Sequence, residues 1–119
     1  MVHDLANNTD GSIRKRLDEA VILRATTDQL RKDLHEPGLR LPKVGLTAFE
    51  ALRTQVLKVL EERQAAGAHA FGLVLNRVDI SERQFREAVR TNGLEQLAAM
   101  VVLRCLQKVL ARERYAGRG

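Results

Sequence analysis

Apolar residues recur every three or four positions along most of this chain, the spacing that collects them on one face of an α-helix. The first such run predicts a helix from Ser12 to about His35, with Ile13, Leu17, Ala20 and Val21 on one face and Leu30 and Leu34 resuming it. Between them "RATTDQ", residues 24–29, is poor in helix formers, so a bend or weak packing is expected there. "EPGLRLPKVGL" then ends the helix, because Pro37, Gly38, Pro42 and Gly45 punctuate residues 36–46 into a loop that is long for a helical bundle. A second helix starts at Thr47, where Thr47 and Glu50 have the spacing of a capping box. Its face of Phe49, Leu52, Val56, Val59 and Leu60 lies opposite Arg53, Lys58, Glu61 and Glu62, and Gly67 marks its end.

"HAFGLVLNRV", residues 69–78, fits two periods. Phe71, Leu73 and Leu75 alternate as in a strand, while Phe71, Leu75 and Val78 also share a helical face. A short buried helix is favoured over a strand paired across a dimer, because the chain offers no second strand. Ser81 and Gln84 form another capping box, Ile80 and Phe85 can staple across it, and a helix follows to Thr91. Asn92-Gly93 stops it. The last helix runs from about Leu94 to Tyr115, ~22 residues and ~33 Å. The fold class is therefore all-α, a small bundle of four or five helices forming one domain over residues 12–119. A polar, turn-rich segment, residues 1–11, is expected to precede it as a flexible tail.

The last helix is apolar on two sides. Leu94, Leu97, Val101 and Cys105 make one seam; Ala99, Leu103, Leu106 and Leu110 make the opposite one. Both are covered only if the helix is central in the bundle or if a second copy packs on it. The expectation is a homodimer, with Ala99, Leu103, Leu106 and Leu110 as candidate interface residues.

Composition narrows this picture. Apolar residues make up 45% and aromatic ones 3%, so the core must be aliphatic. The single cysteine, Cys105, excludes an intramolecular disulfide. The longest apolar run, Leu97 to Leu103, is far short of the ~20 residues that cross a bilayer, and no signal-like run opens the sequence. No membrane association and a cytoplasmic location are the expectations.

The net charge of +5 is concentrated in residues 73–119 and raises the question of nucleic acid. "DISERQFREAVRTNGLEQLAAMVVLR", Asp79 to Arg104, has the outline of a helix-turn-helix. Its chemistry is wrong for one: Val89 stands where a small residue is needed, and the second helix is too apolar to enter a groove. Arg83, Arg86 and Arg90, with Arg112, Arg114 and Arg118, remain candidate contacts to phosphates or to an acidic partner. Against that, Glu82 and Glu87 sit at ion-pairing distance along the same helix. Arg40 and Lys43 precede a helix N-terminus, yet there is no phosphate-binding glycine motif.

Catalytic constellations are not visible. His3, His35 and His69 are isolated, Ser12 and Ser81 are helix-start residues, and Cys105 lies in the most apolar helix. His35 with Asp33 and Glu36 is the nearest approach to an acid–base group, and such clusters are routine at helix ends. No catalytic, cofactor-binding or metal-binding residues are expected. The sequence thus predicts a non-enzymatic interaction or regulatory protein that acts through self-association and a protein partner. Its alternative is a nucleic-acid-binding protein that grips phosphates with the basic C-terminal half.

Overall fold

Helices account for all the regular structure among residues 12–116, the part of the chain that the computed structural model describes. The tail expected over residues 1–11, and Arg118, lie outside it. Residues 12–15 are helical and tighten into a 3-10 turn at Arg16–Asp18. Four α-helices follow: α1, Ala20–Asp33; α2, Ala48–Ala65; α3, Ala68–Arg77; and α4, Glu82–Ala116. The all-α reading holds, and residues 69–77 resolve as helix, with Phe71 and Val74 of α3 buried.

The first helix is broken earlier than its composition predicts. Glu19 is extended, with φ −92° and ψ 121°, and no bend occurs at "RATTDQ". The reason is packing. Thr26 and Thr27 are fully buried, and the Thr27 hydroxyl donates to the Leu23 carbonyl at 2.8 Å, so these weak helix formers are held by the core. The break also resets the helical phase. Ile22 and Leu23 take the inward positions expected of Ala20 and Val21, leaving Val21 79% exposed.

The two expected capping boxes part company. Ser81 and Gln84 form theirs in both directions: the Gln84 N–H donates to Ser81 Oγ at 3.1 Å, and the Ser81 N–H to Gln84 Oε1 at 3.0 Å. Thr47 makes no capping bond, because its backbone is helical (φ −92°, ψ −1°) where a capping residue needs an extended one. Glu50 turns instead to the Arg53 guanidinium, 2.7 Å away.

The long connection after α1 is pinned by side chains. The Arg31 guanidinium donates twice to the Leu39 carbonyl, at 2.9 and 2.7 Å. The Gln55 amide accepts from the Arg40 N–H and donates to the Arg40 carbonyl, at 2.8 and 2.9 Å. Leu39 is thereby drawn into the core.

Two helix ends use left-handed residues that are not glycine. His35 (φ 51°) closes α1 and Asp79 (φ 60°) closes α3. In each, the next N–H reaches back five residues, Glu36 to the Arg31 carbonyl and Ile80 to the Leu75 carbonyl, the pattern of a Schellman motif.

α4 is interrupted where Asn92-Gly93 predicts a stop. Asn92 and Gly93 are non-helical, and Gly93 (φ 61°, ψ −146°) occupies a region reserved for glycine. The limb after this break is the axis of the molecule, with α1 and α2 packed against it. Both of its seams are used. Leu97, Val101 and Cys105 of the first are fully buried, and Ala99 and Leu106 of the second are buried as well. Ala99 and Leu106 therefore belong to this chain's own core and do not offer an exposed interface. Leu103 and Leu110 are half-buried against that core.

Candidate functional site

The densest polar chemistry is a spine between α1 and α4. Gln29 and Asp33 lie one turn apart on α1 and are both buried; Cys105, Lys108 and Arg112 stand at helical spacing on the facing side of α4. Asp33 is the hub. Its Oδ1 accepts from Gln29 Nε2 at 2.9 Å, and its Oδ2 accepts from Lys108 Nζ at 2.7 Å and from the Cys105 thiol at 3.6 Å. Arg112 Nη1 donates to Gln29 Oε1 at 2.6 Å and closes the upper end. At the lower end Lys108 Nζ also donates to the Arg77 carbonyl at 3.2 Å and approaches Asp79 Oδ2 at 3.5 Å, and Arg104 approaches the same carboxylate at 3.7 Å. The left-handed Asp79 is what turns the α3–α4 corner toward these two cations.

Electrostatics in the spine follow from burial. Burial and the neighbouring Asp33 carboxylate push the Cys105 thiol far above its ordinary value of 9.0, so it is neutral. Burial by itself would favour a neutral Lys108 amine, but the hydrogen bond and charge of Asp33 outweigh it, and the ammonium is held above its ordinary 10.5. All three Lys108 protons have acceptors within reach, at Asp33, Arg77 and Asp79. A protonated thiol and an ammonium bonded to Asp33 and the Arg77 carbonyl are poor nucleophiles. The spine joins α1, α4 and the α3–α4 corner. Among the described residues no group of His, Cys, Asp and Glu is placed to hold a metal ion.

Sequence reasoning passed over this spine because Asp33 and Lys108 are far apart in the chain. Asp33, His35 and Glu36, weighed together as an acid–base cluster, are in fact separated. Asp33 faces α4, His35 is exposed, and Glu36 pairs with Arg63 at 3.3 Å. The one local signal was Gln29 and Asp33 at i,i+4, each directly before a leucine of the apolar seam, Leu30 and Leu34.

The arginines proposed for phosphates are not gathered into one patch. Arg83 pairs with Glu87 at 3.5 Å and Arg86 with Glu82 at 3.6 Å, the i,i+4 partners that their spacing suggests. Arg90 is exposed on the same limb. Arg112 and Arg114 sit at the far end of the following limb, about 27 Å of helix from the break. Arg112 is directed inward by Gln29, and Arg114 is exposed.

The surface of α4 has one open stripe. Met100, Leu103 and Leu110 are half-buried and Gln107 is exposed between them, at spacings of three, four and three. A groove of about 480 Å³ runs along the stripe itself, lined by Met100, Leu103 and Gln107 together with Asp79, Ile80, Gln84 and Arg104. A second, of about 330 Å³ and lined by Ser12, Ile13, Arg16, Leu110 and Glu113, flanks its Leu110 end. Among the described residues no helix is long and apolar enough to cross a membrane. With this geometry in hand, comparison with protein-family models, with curated proteins and with solved structures finds no match to the chain.

Proposed function

We propose that this is a non-enzymatic helical interaction protein that pairs with a second copy of itself and presents the rest of its surface to a protein partner. The observation that carries the reading is the open stripe of α4. Met100, Leu103, Gln107 and Leu110 repeat with the 3.5-residue period of helix-on-helix seams; one groove runs along Met100, Leu103 and Gln107 and a second lies beside Leu110, both open to side chains from a partner. An antiparallel two-fold centred near Gln107 would set Leu103 against Leu110 of the partner subunit, and the reverse, which is the self-complementarity such dimers need. Ala99 and Leu106 have no part in it, since both lie inside the chain's own core.

Light scattering on the full chain tests this. Leu103→Glu and Leu110→Glu should each give a folded monomer, whereas Leu106→Glu should unfold. A wild-type chain that stays monomeric at every soluble concentration removes the reading. Addition of a short DNA duplex tests the alternative of phosphate contacts through Arg83, Arg86, Arg90 and Arg114: binding that weakens steeply with salt would favour it.

A further inference from the structure

Only Asn92 and Gly93 leave the helix within the 35 residues of α4, and helical geometry resumes on both sides of them. Gly93, at φ 61° and ψ −146°, occupies a conformation that strains every residue with a side chain. A Cβ at position 93 would meet nothing within 4 Å. It is therefore the bent backbone, and no crowding neighbour, that demands glycine there.

The two limbs on either side of this bend are held unequally. The first, residues 82–91, buries only Ala88; Phe85 is half-buried, edge-on to Phe71 with 5.4 Å between ring centres. The second buries Leu97, Val101, Val102, Cys105 and Leu106 completely, packed with α1 and α2. A continuous α4 would be about 52 Å long, whereas the fold spans 41 Å in its longest direction. A straight α4 must carry one of its limbs out of its own chain's fold.

We propose that Asn92-Gly93 is a hinge, and that its straightening lets two copies of this chain exchange the second limb of α4. In the exchanged pair, residues 94–116 of each copy pack against α1 and α2 of the other. The contacts already present fix the occupant: the limb that enters is identical to the limb that leaves. Each buried side chain regains its neighbours, and Asp33 meets Lys108 of the partner subunit as it meets its own in the single chain. Bent and straight chains then differ chiefly at two residues. Glycine at 93 weights the balance toward the bent single chain, because it accepts the bend without strain and is a poor helix former. The exchange makes no use of the stripe of Met100, Leu103 and Leu110, and is independent of the dimer proposed above.

Gly93→Ala tests this, made in the Leu103→Glu chain so that the stripe cannot pair copies. Alanine favours the straight helix and strains the bend, about tenfold or more at each of the two hinges. The exchanged pair should therefore dissociate about a hundredfold less readily, or less still. Light scattering should show a dimer at a concentration where Leu103→Glu alone is a monomer. Labelled and unlabelled copies should mix only after unfolding in urea, because the exchanged limb is the core. A folded monomer at every soluble concentration overturns the proposal. So does a dimer whose copies mix freely in native buffer, or equal dimer content with and without the alanine. If the alanine chain does not fold, Leu103→Glu decides. Refolded from urea at its highest soluble concentration, it should yield a dimer fraction that survives dilution, and absence of that fraction overturns the proposal.

Discussion

Asp33 shows how a single residue can be misjudged by its neighbours in sequence. Beside His35 and Glu36 it looks like one of a polar helix end; in space it is the buried anion that Lys108 and Cys105 face. Removing Lys108 as Lys108→Met strands that carboxylate and should lower stability by about 3 kcal/mol in urea unfolding. Adding Asp33→Asn to the same chain should restore a good part of the loss, since the uncompensated charge goes with it. Costs that simply add would show that the two side chains do not act as a pair.

Cys105 gives the pH dependence. Its folded-state value is raised, so its contribution is complete below the ordinary 9.0 of the unfolded chain and is lost as pH rises beyond it, where only the unfolded chain gains a thiolate. Lys108 is raised as well, and its contribution falls away only above the ordinary 10.5. Urea midpoints of the wild type should therefore decline from about pH 9 upward, and Cys105→Ala should flatten the part below 10.5. A thiol reagent should label Cys105 only in denaturant; rapid labelling of the native protein would contradict its burial.

At the level of elements, the chain's punctuation was legible wherever it depended on local backbone chemistry. Asn92-Gly93 breaks α4, Gly67 closes α2 with φ 122°, and Ser81 with Gln84 starts α4. Thr47 with Glu50 has the same pattern and does not cap, because the preceding loop delivers Thr47 in a helical conformation. The two sites should differ accordingly. Ser81→Ala is expected to cost about 1 kcal/mol and Thr47→Ala under about 0.5 kcal/mol, read from denaturant midpoints. Equal losses would mean that Thr47 caps in solution. The misplaced bend has a similar cause: propensity points to residues 24–29, but tertiary packing holds Thr26 and Thr27 in helix and leaves Glu19 to take the break.

The whole molecule is organised around the second limb of α4. Leu106 is fully buried there and Leu110 only partly so. Leu106→Ala should thus cost about 3 kcal/mol and Leu110→Ala about 1 kcal/mol or less. A reversal would place the axis elsewhere. Two apolar seams on one helix tell that the helix must be covered twice, and they are silent on whether the cover is the same chain or another. Here α1 and α2 of the same chain cover most of it, and the open remainder is the narrower stripe of Met100, Leu103 and Leu110.

The sequence by itself determined the helices, most of their ends and the aliphatic character of the core, because periodicity, glycine conformation and capping act within a few residues. Only the tertiary structure decided which seam of α4 is interior, that Asp33 meets Lys108, and that Arg14 and Lys15 stand beside exposed Leu46. Those facts depend on residues far apart in the chain being brought together, and no local spacing encodes the distance between them.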